Sequence, residues 1–190
     1  MKKITPAQYR SMPWKNGAGT TVEIAVVPEH SLINNFDWRV SRAAVVNDGV
    51  FSQFEGIDRS LALLAGSGMR LSVDQVMQQV DSENNIAVFS GDSITQAQLI
   101  QGPITDFNLM SRRGRCTHQL SHWQGAASRG LPTGTVLLYC ARGSGTLMSQ
   151  SGPVGLLEDE TAQFAPDEPA TAYTLQSSPD SRFYCVQIFW

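Results

Sequence analysis

A chain of 190 residues can bury a core without a disulfide or metal staple, and its 17 acidic and 14 basic residues give a formal charge of -3. That balance supplies no positive field for holding nucleic acid, and runs such as Ser60 to Ala65 and Thr135 to Ala141 fall far short of the roughly 20 apolar residues of a membrane span. Charged residues are only 16% of the chain, below the roughly 25% usual for soluble domains, as expected where long solvent-facing helices are few.

The opening, MKKITPAQYRSMPWKNG, has two lysines and no apolar stretch behind them, so no secretory leader is expected and the chain is read as cytoplasmic. Thr5 as N-cap and Pro6 at the first helical position predict one short helix over Thr5 to Met12. The next segment, PWKNGAGTTVEIA (residues 13–25), has two readings. Gly17 and Gly19 allow close backbone approach to a bound group, with Trp14, Lys15 and Asn16 offering a flat apolar wall, a charge and a two-way amide. Equally, it is a glycine turn leading into an edge strand, Thr20 to Val27. It lacks the GxGxxG pattern and a preceding strand, so it is no dinucleotide site. In FDWRVSRAAV (36–45), alternation puts Arg39 and Ser41 on one face and Trp38, Val40 and Arg42 on the other, so at most one of Arg39 and Arg42 faces a given interior.

From Phe36 onward, short segments rich in Val, Leu, Phe, Tyr and Thr alternate with turn signals such as Asn47-Asp48-Gly49 and Gly66-Ser67-Gly68, an all-β pattern. A faint duplication runs through it. LLAGSGMRL (63–71) matches YCARGSGTLM (139–148) around a shared GSG; Phe89, Asp92 and Ala97 recur as Phe164, Asp167 and Ala172; and Phe107 corresponds to Phe183. Two similar β units, each too small to hide its own apolar face, account for these matches.

Such a unit suggests a cupin barrel, whose closure removes sheet edges. The expected fold is an all-β double cupin with few short helices: an N-terminal barrel with a ligand pocket over 1–125 and a degenerate second half over 126–190. Metal-dependent cupins carry H-x-H, three or four residues, E, six residues, G. Counting back from Gly66 puts Arg59 at the glutamate and Gln53 and Glu55 at the histidines, so the ligand set is replaced and neither metal nor cofactor is expected. His118 and His122 have i, i+4 spacing, but HQLSH lacks the glutamate of H-E-x-x-H.

Arg59 carries most weight. A guanidinium inside a barrel needs an anion: an internal partner, Glu55 or Glu23, or a ligand carboxylate gripped by the fork. Both hold if Glu23 orients Arg59 for the ligand. In DFNLMSRRG (106–114) Asn108 shares a face with Asp106 and can present polar groups to a ligand, while Arg112, Arg113 and Arg115 read as a solvated turn. Cys116, Cys140 and Cys185 are odd in number and widely spaced, so they read as reduced, buried thiols. No nucleophile is recognisable, so an enzyme is the less favoured reading.

PWKNGAGTTVEI, FDWRVSRAAVVNDGVFSQFEGIDRSLALLAGSGM and DFNLMSRRG together resemble the HutD/Ves family of small bacterial cupin-like proteins associated with histidine utilisation or stress; Leu131 to Trp190 matches only loosely. The resemblance implies a bicupin without the usual metal. It implies a first barrel binding a small carboxylate metabolite of the urocanate or formate type, and a role in moderating histidine breakdown. The family's motif positions correspond to Trp14, Asn16, Arg59 and Asn108. The competing expectation is a metal-independent isomerase or hydrolase with Glu55 or Glu23 as base. A homodimer, the commonest soluble assembly, and an unidentified protein partner are further expectations.

Overall fold

Short β-branched and aromatic runs between glycine and proline turns give nineteen strands and two single-turn 3-10 helices among the described residues, in the pattern expected of an all-β chain. The structure, a computed structural model, describes residues 1–13, 19–33 and 35–190. The chain forms two units, residues 9–117 and residues 1–8 with 118–190. Strand β1 (Lys2–Ile4) belongs to the second.

The unit of residues 9–117 contains β2 (Arg10–Pro13), β3 (Gly19–Val27), β4 (Trp38–Val45), β5 (Gly49–Val50) and β6 (Ile57–Ala65). It continues with β7 (Met69–Val73), β8 (Val76–Val80), β9 (Ile86–Ser90), β10 (Thr95–Leu99) and β11 (Ile104–Arg112). They form two sheets, β2-β3-β4-β11-β6-β9 and β5-β10-β7-β8. Leu61, Leu63, Met69, Leu71 and Phe89 are among the side chains that cluster in its core.

The other unit adds to β1 the strands β12 (Thr117–Gln124), β13 (Ala127–Gly130), β14 (Thr135–Arg142) and β15 (Ser144–Met148), then β16 (Val154–Leu157), β17 (Thr161–Phe164), β18 (Thr174–Ser177) and β19 (Arg182–Phe189). Its sheets are β1-β17-β14-β19-β12 and β13-β18-β15-β16. The change of unit comes ahead of the division expected at residue 125, because β12 lies in the sheet of this second unit.

The duplication seen in the sequence is a duplication of topology. The order β4-β11-β6-β9 recurs as β12-β19-β14-β17, and β5-β10-β7-β8 as β13-β18-β15-β16. Phe89 and Phe164 occupy equivalent strands, as do Phe107 and Phe183, and all four are buried. Both GSG turns begin with a left-handed glycine, Gly66 at φ +95° and Gly143 at φ +73°. The match fails at the alanines: Ala97 lies in β10, but Ala172 ends a 3-10 turn ahead of β18.

Two local expectations need correction. In place of a helix over 5–12 there is one 3-10 turn, Pro6–Gln8, between strands β1 and β2. The Gln8 side chain accepts from both the backbone N–H and the hydroxyl of Thr5, a capping-box contact, but the turn goes no further because Arg10 to Pro13 pair with β3 instead. Strand β3 exists as expected but is internal to its sheet, because β2 pairs along its outer side. No helix among the described residues is long and apolar enough to cross a membrane. All three cysteines are buried free thiols, and burial pushes Cys140 and Cys185 up to about 12.

Candidate functional site

Pleating decides which side chains of the larger sheet in residues 9–117 face inward, and the register stacks them in rows. One row runs Arg39, Met110, Arg59 across β4, β11 and β6; the next runs Glu23, Ser41, Asn108; a third runs Thr21, Ala43, Asp106. These rows, Glu23 excepted, floor a cavity of about 690 Å³, whose rim is the segment from Val45 to Phe54. Of the two arginines left open by alternation, Arg39 takes the interior place, because its strand partner Met110 also lines the cavity.

Arg39 and Arg59 are treated differently. Arg39 is 4% exposed, and its Nε–H donates to Oε2 of Glu23 at 2.7 Å. Glu23 therefore neutralises Arg39; the expected pairing of Glu23 with Arg59 is not formed. A register shift between Glu23 and Ala25 breaks the regular alternation of β3 beside that carboxylate. Glu55 is exposed and does not line the cavity, so it offers Arg59 no partner either.

Arg59, at 3% exposure, has no carboxylate within ion-pair distance among the described residues. Its guanidinium carbon lies 5.4 Å from the ring centroids of Phe51 and Phe54 and 5.0 Å from that of Phe89. Three ring faces hold a cation well and leave its hydrogen-bonding edge nearly unused. One long bond, Nη1 to the Ser52 carbonyl at 3.4 Å, is made, and Nε is buried with no acceptor. Burial, and secondarily the charge of Arg39, bring the Arg59 guanidinium down to about 10, against an opposing pull from Asp106.

Asn108 and Asp106 complete the polar floor. The amide oxygen of Asn108 is buried without a donor. Asp106, 2% exposed, accepts the Ala43 backbone N–H through Oδ1 at 3.2 Å. Burial pushes its carboxyl up to about 7, with the Arg59 charge and the Ala43 N–H pulling the other way. Buried polar groups left unsatisfied cost free energy, and here they face one cavity together.

The donor set does not suit a divalent cation: two guanidinium groups stand where a metal would need imidazoles or carboxylates. Among the described residues no group of three or more His, Cys, Asp or Glu side chains is arranged to hold one. His118 and His122 lie on strand β12, not on a helix. At about 3.3 Å per residue their α-carbons are roughly 13 Å apart.

Of the residues singled out in the sequence, Arg59 and Asn108 meet in the cavity, Glu23 stands behind Arg39, and Glu55 is elsewhere. Trp14 and Asn16 lie outside the described residues. Sequence reasoning missed the aromatic cage of Phe51, Phe54 and Phe89, since the first two sit in an irregular segment where periodicity has no meaning. The arginine turn is anchored and superficial: Arg113 bonds Asp58 at 2.7 Å and also Asp92, while Arg115 is mostly exposed.

The HutD family model matches residues 6–183. An uncharacterized 21.2 kDa protein in the hutC 3' region of Pseudomonas putida is 38% identical over 74% of each chain. Protein Ves of Citrobacter koseri is 37% identical over 56% of this chain and 57% of its own. Among solved structures, a conserved protein of unknown function from Pseudomonas aeruginosa PAO1 superposes with a TM-score of 0.89 at 30% identity, covering 100% of this chain and 98% of that one. HutD from Pseudomonas fluorescens SBW25, in a formate condition, gives 0.83 at 26% identity, covering 99% and 97%. A Cupin 2 conserved barrel domain protein from Leptotrichia buccalis, at 10% identity and a TM-score of 0.57 over 99% and 95% of the two chains, shares the fold.

Proposed function

We propose that this chain, which belongs to the HutD family of cupin-fold proteins, is a metal-free binding protein for a small carboxylate metabolite of the urocanate or formate type and moderates histidine utilisation. One observation carries this reading. Arg59 is a buried guanidinium fixed by three phenylalanines, with its Nε lacking an acceptor and only one long bond to the Ser52 carbonyl, beside an Asn108 oxygen that lacks a donor. A carboxylate lying against Arg59 supplies the acceptor it lacks, by a geometry the guanidinium fork favours. The relative encoded beside hutC and the HutD solved in a formate condition support the metabolic setting and the ligand class. Trp14 and Asn16 are assigned to the same site by family resemblance. Occupancy regulates a partner protein only if the ligand-free and liganded states differ in affinity for it.

Thermal unfolding of the protein against urocanate, formate, formylglutamate, histidine and glutamate tests the reading, with Arg59→Met in parallel. The methionine keeps the aromatic cage filled while removing the charge. A ligand at about one hundred times its dissociation constant adds about 2.7 kcal/mol, a rise of several degrees at this size. A shift with a carboxylate, absent in Arg59→Met, is the expected result; no shift with any compound overturns the reading. The competing enzyme reading is weakened because Glu55 faces solvent and Glu23 is held by Arg39. Turnover of urocanate or formylglutamate by the purified protein would restore it.

A further inference from the structure

The charges around the cavity do not balance once an anion enters. Glu23 cancels Arg39, and Asp48, on the rim, is tied by its Oδ1 to the Leu99 backbone N–H at 2.7 Å. Arg42 belongs to the opposite face of β4 by alternation. The charged side chains on the same inward rows as Asp106 are therefore Arg59 on β6, Arg39 on β4 and Glu23 on β3, and of these Arg59 acts on the Asp106 carboxyl. The charge left to meet a ligand is Arg59 against Asp106. With Asp106 ionised the pair is already neutral, and a carboxylate would bring a net negative charge in beside the buried Asp106, where two neighbouring carboxylates tend to share a proton.

Geometry points the same way. Asp106 and Arg59 do not form an ion pair with each other, yet each alters the other's ionisation. On β11 Asn108 lies between Asp106 and Met110, the residue opposite Arg59, and all four line the cavity, so a ligand there would meet both charges. Asp106 spends one oxygen on the Ala43 N–H.

We propose that anion binding in this cavity is proton-linked: Asp106 is neutral in the complex, taking up one proton as the carboxylate enters and offering its O–H to the ligand. The inference rests on the carboxylate-binding reading above, and gives it a third contact residue and a condition on its ligands. An anion that accepts a hydrogen bond beside its carboxylate fits; one that presents only a donor to Asp106 does not. That the carboxyl of Asp106 already sits near neutrality by burial makes the uptake inexpensive at physiological pH.

Calorimetric titration of urocanate between pH 7 and 9, in two buffers of different ionisation enthalpy, reads the proton directly. Over that range an imidazole of ordinary pKa near 6.5 is already neutral, so the ligand contributes little titration of its own. The expected result is an affinity that falls by about 50-fold from pH 7 to pH 9, with uptake approaching one proton per ligand at the upper end. Asp106→Asn, which keeps the Ala43 contact and mimics the neutral acid, should bind with no such pH dependence and no proton uptake. A wild-type affinity flat across the range, or Asp106→Asn binding much more weakly at pH 7, overturns the proton linkage while leaving carboxylate binding intact. Absence of binding at every pH in both proteins overturns the carboxylate reading and this one with it.

Discussion

Asp106 is a stability liability as well as a candidate contact. Its folded carboxyl titrates near 7 against roughly 4 in an unfolded chain, so the unfolded state ionises more readily and stability is lost as pH rises between these values. Above pH 7 the cost is constant, at most about 4 kcal/mol. Asp106→Asn should therefore match wild type near pH 4 and be more stable at pH 8, with the gap opening between; urea denaturation across this range measures it. Glu23→Gln acts in the opposite sense. It strands the buried Arg39, and a broken buried pair costs about 3–5 kcal/mol, to be read from the urea midpoint at pH 7.5. The interior position of Arg59 was legible in the sequence because counting back from Gly66 put a cation at a cupin ligand position. The choice of Arg39 over Arg42 was not, since alternation names a face but not the direction it points.

At the scale of the element, the rim of the cavity is held by a surface clasp. Asp92 accepts the Gly56 N–H at 3.0 Å through Oδ1, its backbone carbonyl accepts from Gln53 at 2.8 Å, and Arg113 bridges it to Asp58. The segment so pinned carries Phe51, Ser52 and Phe54 to Arg59. Asp92→Ala removes exposed contacts of small individual worth, so the melting temperature should move little. The rim should loosen, however, and urocanate affinity should fall several-fold; an unchanged affinity would show that the clasp does not position Arg59. Nothing in the sequence pairs Asp92 with Gly56 across 36 residues. The strands beneath were legible because a period of two repeats over many residues, whereas the loop that closes the site has no period at all.

For the whole molecule, the duplication was legible from two GSG turns and the spacing of four phenylalanines, because those residues fill equivalent buried positions in each unit. What could not be foreseen is the exchange at the chain start. β1 leaves its sequence neighbours and pairs antiparallel with β17, Lys2 opposite Gln163, with Ile4 only 4% exposed and Lys3 bonded to Glu160 at 2.6 Å. Ile4→Ser should lower the stability of the unit holding β17 by about 2 kcal/mol of burial, read from the fall in its urea denaturation midpoint. The pairing of residue 2 with residue 163 also has a consequence in time. At ribosomal rates of about 5–20 residues per second, β1 is made roughly 8–30 seconds before its partner exists. For that interval the opening strand is unpaired on the nascent chain, and the second unit can close only once β19, ending at Phe189, has been made.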